Sequence, residues 1–459
     1  MRTYERAVII ILLFAIFFLP STGWASGYLT GKVVDIFTGL PIKEALVTSG
    51  AEIVLTDKNG EFFTKNEEHT LSVRAHGYLK AELSTGTNVL TIPHLIKLTP
   101  FTPKALYLTV YGIGDREIRR SAIKLIEETE LNALVIDIKG DRGMIPYKSS
   151  IPLASELGAQ KIITVRDIDG LMRDLKAKGI YTIARIVTFK DNLLAQARPD
   201  LAIKRNGTVW KDRENLSWVD PSKKEVWDYN ISIAMEAARH GFDEIQFDYV
   251  RFPDTKGLEF SVPNSEENRT RAISGFLAEA KKRLTPYNVF IAADIFGYVC
   301  WNTNDTDIGQ KIEAVSAIVD YISPMLYPSG FQFGIPGYRN PVAHPYEIVN
   351  LSLKRAMERT NLPPTRFRPW LQAFKDYAFD GRHFTAAEIS DQIKASEESG
   401  SNGWMLWNPR NIYSLSGLKR ENNKFMTTYM NLSEPLSHKE AGKPSGALES
   451  WSGLSYNYK

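Results

Sequence analysis

The segment GFDEIQFDYVRFPD (241–254) brings Gln246, Asp248, Tyr249 and Arg251 together at the end of a short apolar run. A second run, VFIAADIFGY (289–298), carries Asp294 near its end. If the two runs are neighbouring strands, the carboxylates stand at matching points and are separated by a gap set by the roughly 4.8 Å strand spacing. Such a pair is suited to glycosidic bond hydrolysis. At roughly 5 Å one carboxylate acts as nucleophile and the other as general acid; a wider gap admits water and inverts the anomeric centre. Two adjacent carboxylates also push one pKa up, which supplies the protonated acid. Asp248 is the expected nucleophile and Asp294 the expected acid/base.

Other polar residues fall at the ends of similar runs. ALVIDIKG (133–140) holds Asp137 and Lys139, with Asp141 just beyond; YTIARIVTF (181–189) holds Arg185. VDYISPML (319–326) precedes Tyr327, RPWLQAF (368–374) holds Gln372, and GWMLWNP (403–409) holds Trp407 and Asn408. Strand alternation puts Gln246, Asp248 and Val250 on one face, and Asp137 with Lys139 on another. Lys139, Arg185, Gln246 and Arg251 are expected to orient substrate or tune the carboxylates, and Asp137 and Asp141 stand as substitutes for the acid. Tyr249, Trp301, Tyr327 and Trp407 would offer flat rings to the apolar faces of sugars, and Trp210 and Trp218, in a long loop after the third run, are expected to be exposed. The histidines show no HxH or HExxH spacing, and no cofactor or metal is implied. The oxygen-rich NTNDTD (302–307) reads as a solvated turn before a calcium loop. No GxSxG elbow is present.

The elements that must position these groups alternate. The four runs of the second half, the two above that precede Gly241 to Asp254, that segment itself and ALYLTV (105–110) are separated by helical patterns near 115–129, 167–178, 265–284, 345–360 and 412–430. Another helix is expected after Asp220-Pro221, with Asp220 as N-cap, and another from Thr385 with Glu388 as a capping box. Eight strands over 101–433 predict a (β/α)₈ TIM barrel of the α/β class. A doubly wound open sheet is the rival, but the GIGD at 112–115 is a poor phosphate loop. Residues 27–100 differ: short β-branched runs alternate with turns such as DKNG (57–60), predicting a small all-β sandwich ahead of the barrel. Pro100 and Pro103 mark the boundary.

The ends carry other signals. Arg2 and Arg6, the apolar run Ala7 to Leu19, then Gly23 and Ala25 read as a signal peptide over 1–25, with an uncleaved membrane anchor as the alternative. The single cysteine, Cys300, excludes an intrachain disulfide and reads as a buried small hydrophobe. An exported chain without disulfides suits a bacterial periplasm or exterior. Residues 434–459 lack periodicity and read as a disordered tail. A net charge of +3 without basic runs argues against nucleic acid.

Two resemblances add to this. GKVVDIFTGLPIKEALVT, LTDKNGEF and LSVRAHGY resemble the carboxypeptidase regulatory-like β-sandwich family, which implies a spacer or accessory role for 27–100. GFDEIQFDYVRFPD resembles the signature of the bacterial putative glycosyl hydrolase domain family, within the barrel glycosidases that include the α-amylases. VIDIKGDRG (135–143), GIYTIARIVTFKD (179–191), PDLAIKRNGTVW (199–210), WVDPSKKEVWDYN (218–230), ADIFGY (293–298) and ISPMLYPS (322–329) extend the match across 103–425. By this resemblance Asp248 falls where the α-amylase group keeps its strand-four nucleophile and Asp294 where it keeps its strand-five acid. The chain departs in having Asp for Glu at 294, and Gln246 where that group has Arg. The resemblance implies a glycoside hydrolase acting on a poly- or oligosaccharide. Rival expectations are a non-catalytic glycan-binding barrel of an envelope or matrix assembly, and a carbohydrate transferase or lyase on the same scaffold.

Overall fold

A computed structural model of the chain describes residues 28–65, 70–84 and 94–421. The proposed signal segment and the tail 434–459 lie outside the described residues. Among the described residues no helix is long and apolar enough to cross a membrane.

Seven strands form the β-rich N-terminal module: β1 (Tyr28–Asp35), β2 (Leu46–Ser49), β3 (Glu52–Leu55), β4 (Glu61–Lys65), β5 (Thr70–Arg74), β6 (Ala81–Ser84) and β7 (His94–Leu98). They make two sheets, ordered β4-β1-β7 and β3-β2-β5-β6. Leu29, Val33, Phe62 and Ile96 from the first meet Val47, Leu71 and Val73 from the second in one apolar core. The DKNG turn is held by Asp57, whose carboxylate accepts from the backbone N–H groups of Asn59 and Glu61 at 2.8 and 2.9 Å. Turn formation is thus the role this aspartate performs.

The barrel strands are β8 (Lys104–Leu108), β9 (Ala133–Lys139), β10 (Tyr181–Val187), β13 (Glu244–Asp248), β14 (Phe290–Phe296), β15 (Tyr321–Met325), β16 (Trp370–Gln372) and β17 (Trp404–Trp407); a short hairpin, β11 (Lys204–Arg205) with β12 (Thr208–Val209), lies in the loop after β10. The eight are parallel and follow chain order around a closed barrel, with β17 pairing back onto β8. Closure removes the doubly wound alternative. Strands such as ALVIDIK and YTIARIV are buried at every position, because side chains fill the barrel on one face and helices cover the other. Ala105, Tyr107, Val135, Ile183, Ala292, Tyr321, Trp370 and Met405 fill the interior.

Several helices begin at residues whose side chains cap them. Asp115 caps Arg116–Glu128, Asp167 caps Ile168–Ala177, Ser265 caps Glu266–Leu284, and Thr385 with Glu388 forms the capping box of Ala386–Glu398. Two expectations need correction. The helix after Asp220-Pro221 begins only at Lys224, because the Asp220 carboxylate instead accepts from the N–H groups of Ser222 and Ser261 at 2.9 and 2.6 Å. No helix occupies 412–421, the described part of the segment expected to be helical. Asn411 and Gly417 are left-handed there, at φ 56° and 82°, which breaks the helical path.

The module docks beneath the barrel, at the N-terminal ends of its strands. Gly77 N–H donates to the Tyr321 hydroxyl at 3.1 Å, the Lys80 amine to the Phe242 carbonyl at 3.2 Å, and the Arg74 guanidinium to the Thr285 carbonyl at 3.3 Å. Inside the floor Arg368 holds the Glu244 carboxylate with two bonds of 2.7 and 2.9 Å, and Tyr181 donates to it at 3.1 Å.

Candidate active site at the strand ends

Register determines which side chains meet. Arg185 on β10 is level with Asp137 on β9 and with Gln246 on β13. Gln246 is level with Ala292, so Asp248 and Asp294, each two residues further on, stand side by side at the C-terminal rim. All four chemically promising residues, Asp137, Arg185, Asp248 and Asp294, therefore converge.

Arg185 is the centre of the group. Its guanidinium donates to Asp137 Oδ1 at 2.5 Å and forks onto Asp248 Oδ2, through Nε at 3.0 Å and through Nη2. Asp137 Oδ2 accepts from the Tyr107 hydroxyl at 2.6 Å, and Asp248 Oδ1 from its neighbour Tyr249 N–H at 2.5 Å. Asp294 is served differently. Its Oδ1 accepts from the Trp370 indole at 2.8 Å, while Oδ2 has no hydrogen-bond partner and is fully buried. Arg185 Nε lies 3.0 Å from Asp248 Oδ2 and 4.0 Å from Asp294 Oδ2, so these two oxygens are no more than about 7 Å apart.

Three carboxyl groups around one guanidinium leave charge uncompensated in a buried place. The least costly remedy is a proton on the carboxyl with the fewest donors. Burial first, and then the neighbouring Asp248 charge, push the Asp294 carboxyl well above the usual carboxylate range, with Arg185 and Trp370 only partly opposing them. Burial also raises Asp137, though less, because Arg185 and Tyr107 favour its charged form. Arg185 is held above its ordinary value by the carboxylates despite burial.

Aromatic rings enclose this cluster. Trp407 stacks on Tyr107 with centroids 3.9 Å apart and planes 15° off parallel, and the Arg185 guanidinium lies 4.7 Å from the Trp407 ring centre. Trp370 meets the edge of Trp407 at 5.4 Å. Tyr327 is half-buried and packs on the barrel interior just past β15, the strand that pairs with β14 at Asp294; burial and then the charges of both Asp248 and Asp294 push its phenol well up.

Several expected residues take other places. Lys139 does not share a face with Asp137. The register shifts after Arg185, so that Ile186 pairs with Lys139 and residue 138 is the extra one of a bulge. Lys139 turns outward and is buried against Asp191, with Nζ to Oδ2 at 2.7 Å. Val250 likewise leaves the line of Gln246 and Asp248 and packs in the outer core, because Tyr249 is left-handed at φ 46°. Gln246 lies inside the barrel below the pair, donating to Ser323 at 3.2 Å, with its own carbonyl oxygen buried and unpartnered. Trp218, expected to be exposed, is 3% exposed: its indole donates to Asp212 at 3.0 Å and its ring meets Tyr249 edge-on. Trp210 is half-buried beside it. Arg251 lies over the rings of Trp218 and Tyr249, and Asp141 reaches the Lys190 amine at 3.9 Å. Asn408 spends its amide on the Ala373 and Ile412 carbonyls, Gln372 bonds Ser329, and Trp301 donates outward to Ser352 on the helix Pro345–Thr360.

Three residues of the cluster escaped the sequence reading. Tyr107 and Trp370 sit in apolar runs, where an aromatic reads as core; the inward alternation from Ala105 and to Gln372 was the available signal. Lys190, nearly buried over the Tyr249 ring and paired with Glu214 at 2.7 Å, lay just past the third run. Among the described residues no cluster of three or more acidic, His or Cys side chains could hold a metal. The Asp305 carboxylate of the NTNDTD loop is taken by Arg269 at 2.7 and 2.9 Å. Burial pushes the Cys300 thiol up to about 12, in keeping with a packing role.

The family profile described as a putative glycosyl hydrolase domain matches residues 105–413. Among curated proteins none matches the chain significantly. A solved structure of a hypothetical protein from Ruminiclostridium thermocellum is 41% identical over 41% of this chain and 96% of that one, with a TM-score of 0.37. The glycoside hydrolase domain of PgaB (BpsB) from Bordetella bronchiseptica is 13% identical, covering 74% of this chain and 100% of that one, with a TM-score of 0.51; it shares the fold. The GH18 chitinase ChiB from Flavobacterium johnsoniae is 14% identical, over 72% and 95%, at 0.41.

Proposed function

We propose, from the premise that this chain belongs to the putative glycosyl hydrolase domain family, that it hydrolyses glycosidic bonds of a poly- or oligosaccharide through Asp248 and Asp294. The observation that carries this reading is the unequal treatment of two adjacent carboxyls. Asp248 is gripped by a guanidinium fork, whereas Asp294 keeps a buried oxygen without a donor. Environments that separate two neighbouring pKa values assign the acid and its partner. The separation of at most about 7 Å fits a retaining pair better than the roughly 6.5–9.5 Å of most inverting ones.

In this mechanism Asp248 attacks the anomeric carbon while the proton of Asp294 passes to the departing glycosidic oxygen. The C–O bond breaks, a glycosyl ester forms on Asp248, and the aglycone leaves. Water then attacks the same carbon, gives its proton to Asp294, and restores Asp248. Arg185 fixes the orientation of the Asp248 carboxylate, and Tyr327 and Trp407 border the sugar ring. Asp248→Asn is expected to lower hydrolysis by at least about 1,000-fold, and Asp294→Asn by about 100- to 10,000-fold, across a panel of glycans. Unchanged rates in both variants would sink the assignment.

The complete burial of Asp294 favours one second reading, a barrel that binds glycan without cleaving it. Glycan retention with no sugar released by the wild-type chain between about pH 4 and 8 would select it. Export and envelope association are part of the proposal as well, supported by the sequence of residues 1–25; finding the protein in the cytoplasmic fraction would reject them.

A further inference from the structure

The loop after β16 holds an exposed ring in a fixed place. Tyr377 is 63% exposed, yet its ring lies parallel to Phe374, with centroids 6.2 Å apart and 9° between planes. Phe374 in turn meets Tyr327 edge-on at 5.5 Å, and Tyr327 packs on the barrel interior just past β15, the strand that pairs with β14 at Asp294. The three rings thus form a continuous line from the strand end beside Asp294 to solvent. The Tyr377 hydroxyl reaches over the turn that follows Tyr327, 3.9 Å from where a Cβ on Gly330 would sit.

The backbone beneath this line is clamped. The Asp376 carboxylate accepts from the Ser329 hydroxyl at 2.7 Å and from the N–H groups of Ala378, Phe379 and Gly381 at 2.9 to 3.0 Å. Although burial would raise it, these donors hold the Asp376 carboxyl at about 2. Arg382 ties the far end of the loop to the Val342 carbonyl at 3.0 Å. A loop with so many internal bonds gains nothing in packing from an exposed phenol at its tip. A rigid aromatic surface prepared at little entropic cost is what sugar stacking needs.

We propose that Phe374 and Tyr377 form an outer sugar-binding subsite, continuous with the site at Asp248 and Asp294, so that the substrate is a glycan chain held on several rings at once. The proposal deepens the hydrolase reading and rests on it for the identity of that site. The occupant is the part of the same glycan that extends beyond the reacting unit, because the ring line starts at the strand end beside Asp294 and leads outward.

The test measures binding apart from cleavage. The Asp248→Asn chain is screened on a glycan array, and oligosaccharides of two to six units of the glycan it retains are titrated by tryptophan fluorescence. Affinity is expected to rise about tenfold or more from the disaccharide to the longer chains. In the Asp248→Asn/Tyr377→Ala double variant this gain should fall to near unity, and Tyr377→Phe should restore most of it by returning the ring. A gain that survives in Tyr377→Ala, an affinity that does not grow with length, or the absence of any retained glycan overturns the subsite. Wild-type hydrolysis of the same ladder separates the two readings. Cleavage without a length-dependent gain removes the subsite and keeps the hydrolase; a Tyr377-dependent gain without cleavage keeps the subsite and removes the hydrolase.

Discussion

In the proposed mechanism Asp294 is the residue on which the chemistry turns. One oxygen is held by Trp370 and the other has no hydrogen-bond donor, and its carboxyl is raised well above its ordinary range by burial and by Asp248. A raised carboxyl pKa means that the folded state binds a proton the unfolded chain has already released. Its contribution to stability is full below the unfolded value near 3.8 and is lost as pH rises through the folded value. The melting temperature of wild type should therefore fall relative to Asp294→Asn as pH climbs through this window; a constant difference from pH 4 to 9 would refute it. Trp370→Phe removes the donor that favours the charged form, so the alkaline limb of the activity profile should move to higher pH. A limb that stays in place would show that another group sets it. At this scale much was legible: Asp137, Arg185, Asp248 and Asp294 stand at strand ends, and alternation points them inward. Lys139 was misplaced because a bulge is one extra residue, which leaves no mark in the composition of the strand. Trp218 was misjudged because charged neighbours in sequence say little about a loop that folds back and gives its indole Asp212 as a partner.

At the scale of elements, the eight strands were readable because each is an apolar run bounded by helical periodicity. Their limits were read too long: EIQFDYVRF was expected to run to Phe252, but the strand stops at Asp248, where Tyr249 turns left-handed. That turn depends on neighbouring loops, which short-range pattern does not contain. Closure between β17 and β8 depends on one tight passage. Gly403 is at φ 79°, and a Cβ there would lie 1.8 Å from the Pro103 carbonyl oxygen. Gly403→Ala should cost at least about 2–3 kcal/mol, measured by urea denaturation; a loss below about 0.5 kcal/mol would mean that the seam yields freely. The floor pair offers a second test. Glu244→Ala strands Arg368 as a buried unpaired cation and should destabilise by about 3–5 kcal/mol, well beyond what the lost packing explains.

At the scale of the whole molecule, the β-rich module and the barrel share their boundary. Asp320, just before β15, accepts from Lys281 of the barrel and lies 3.6 Å from His76 of the module; although it is buried, the Lys281 charge, the His76 contact and the Arg74 charge hold its carboxyl well below the usual range. With Arg74, Gly77 and Lys80 also engaged, the two parts should unfold together. A single calorimetric transition is expected for the full chain, and two resolved peaks would show that they melt independently. The seam itself was not legible, because its contacts join residues more than 150 positions apart, such as Lys80 with Phe242.

The placement of the module has a practical consequence. It occupies the end of the barrel opposite Asp248, and Tyr28 belongs to its first strand. Any anchor, bead or fusion partner joined ahead of Tyr28 is therefore attached at the closed end of the molecule. The strand ends that carry Asp248 and Asp294 then point away from the support, so, if the proposed activity holds, a tethered preparation should work on insoluble or surface-bound glycan as readily as a free one.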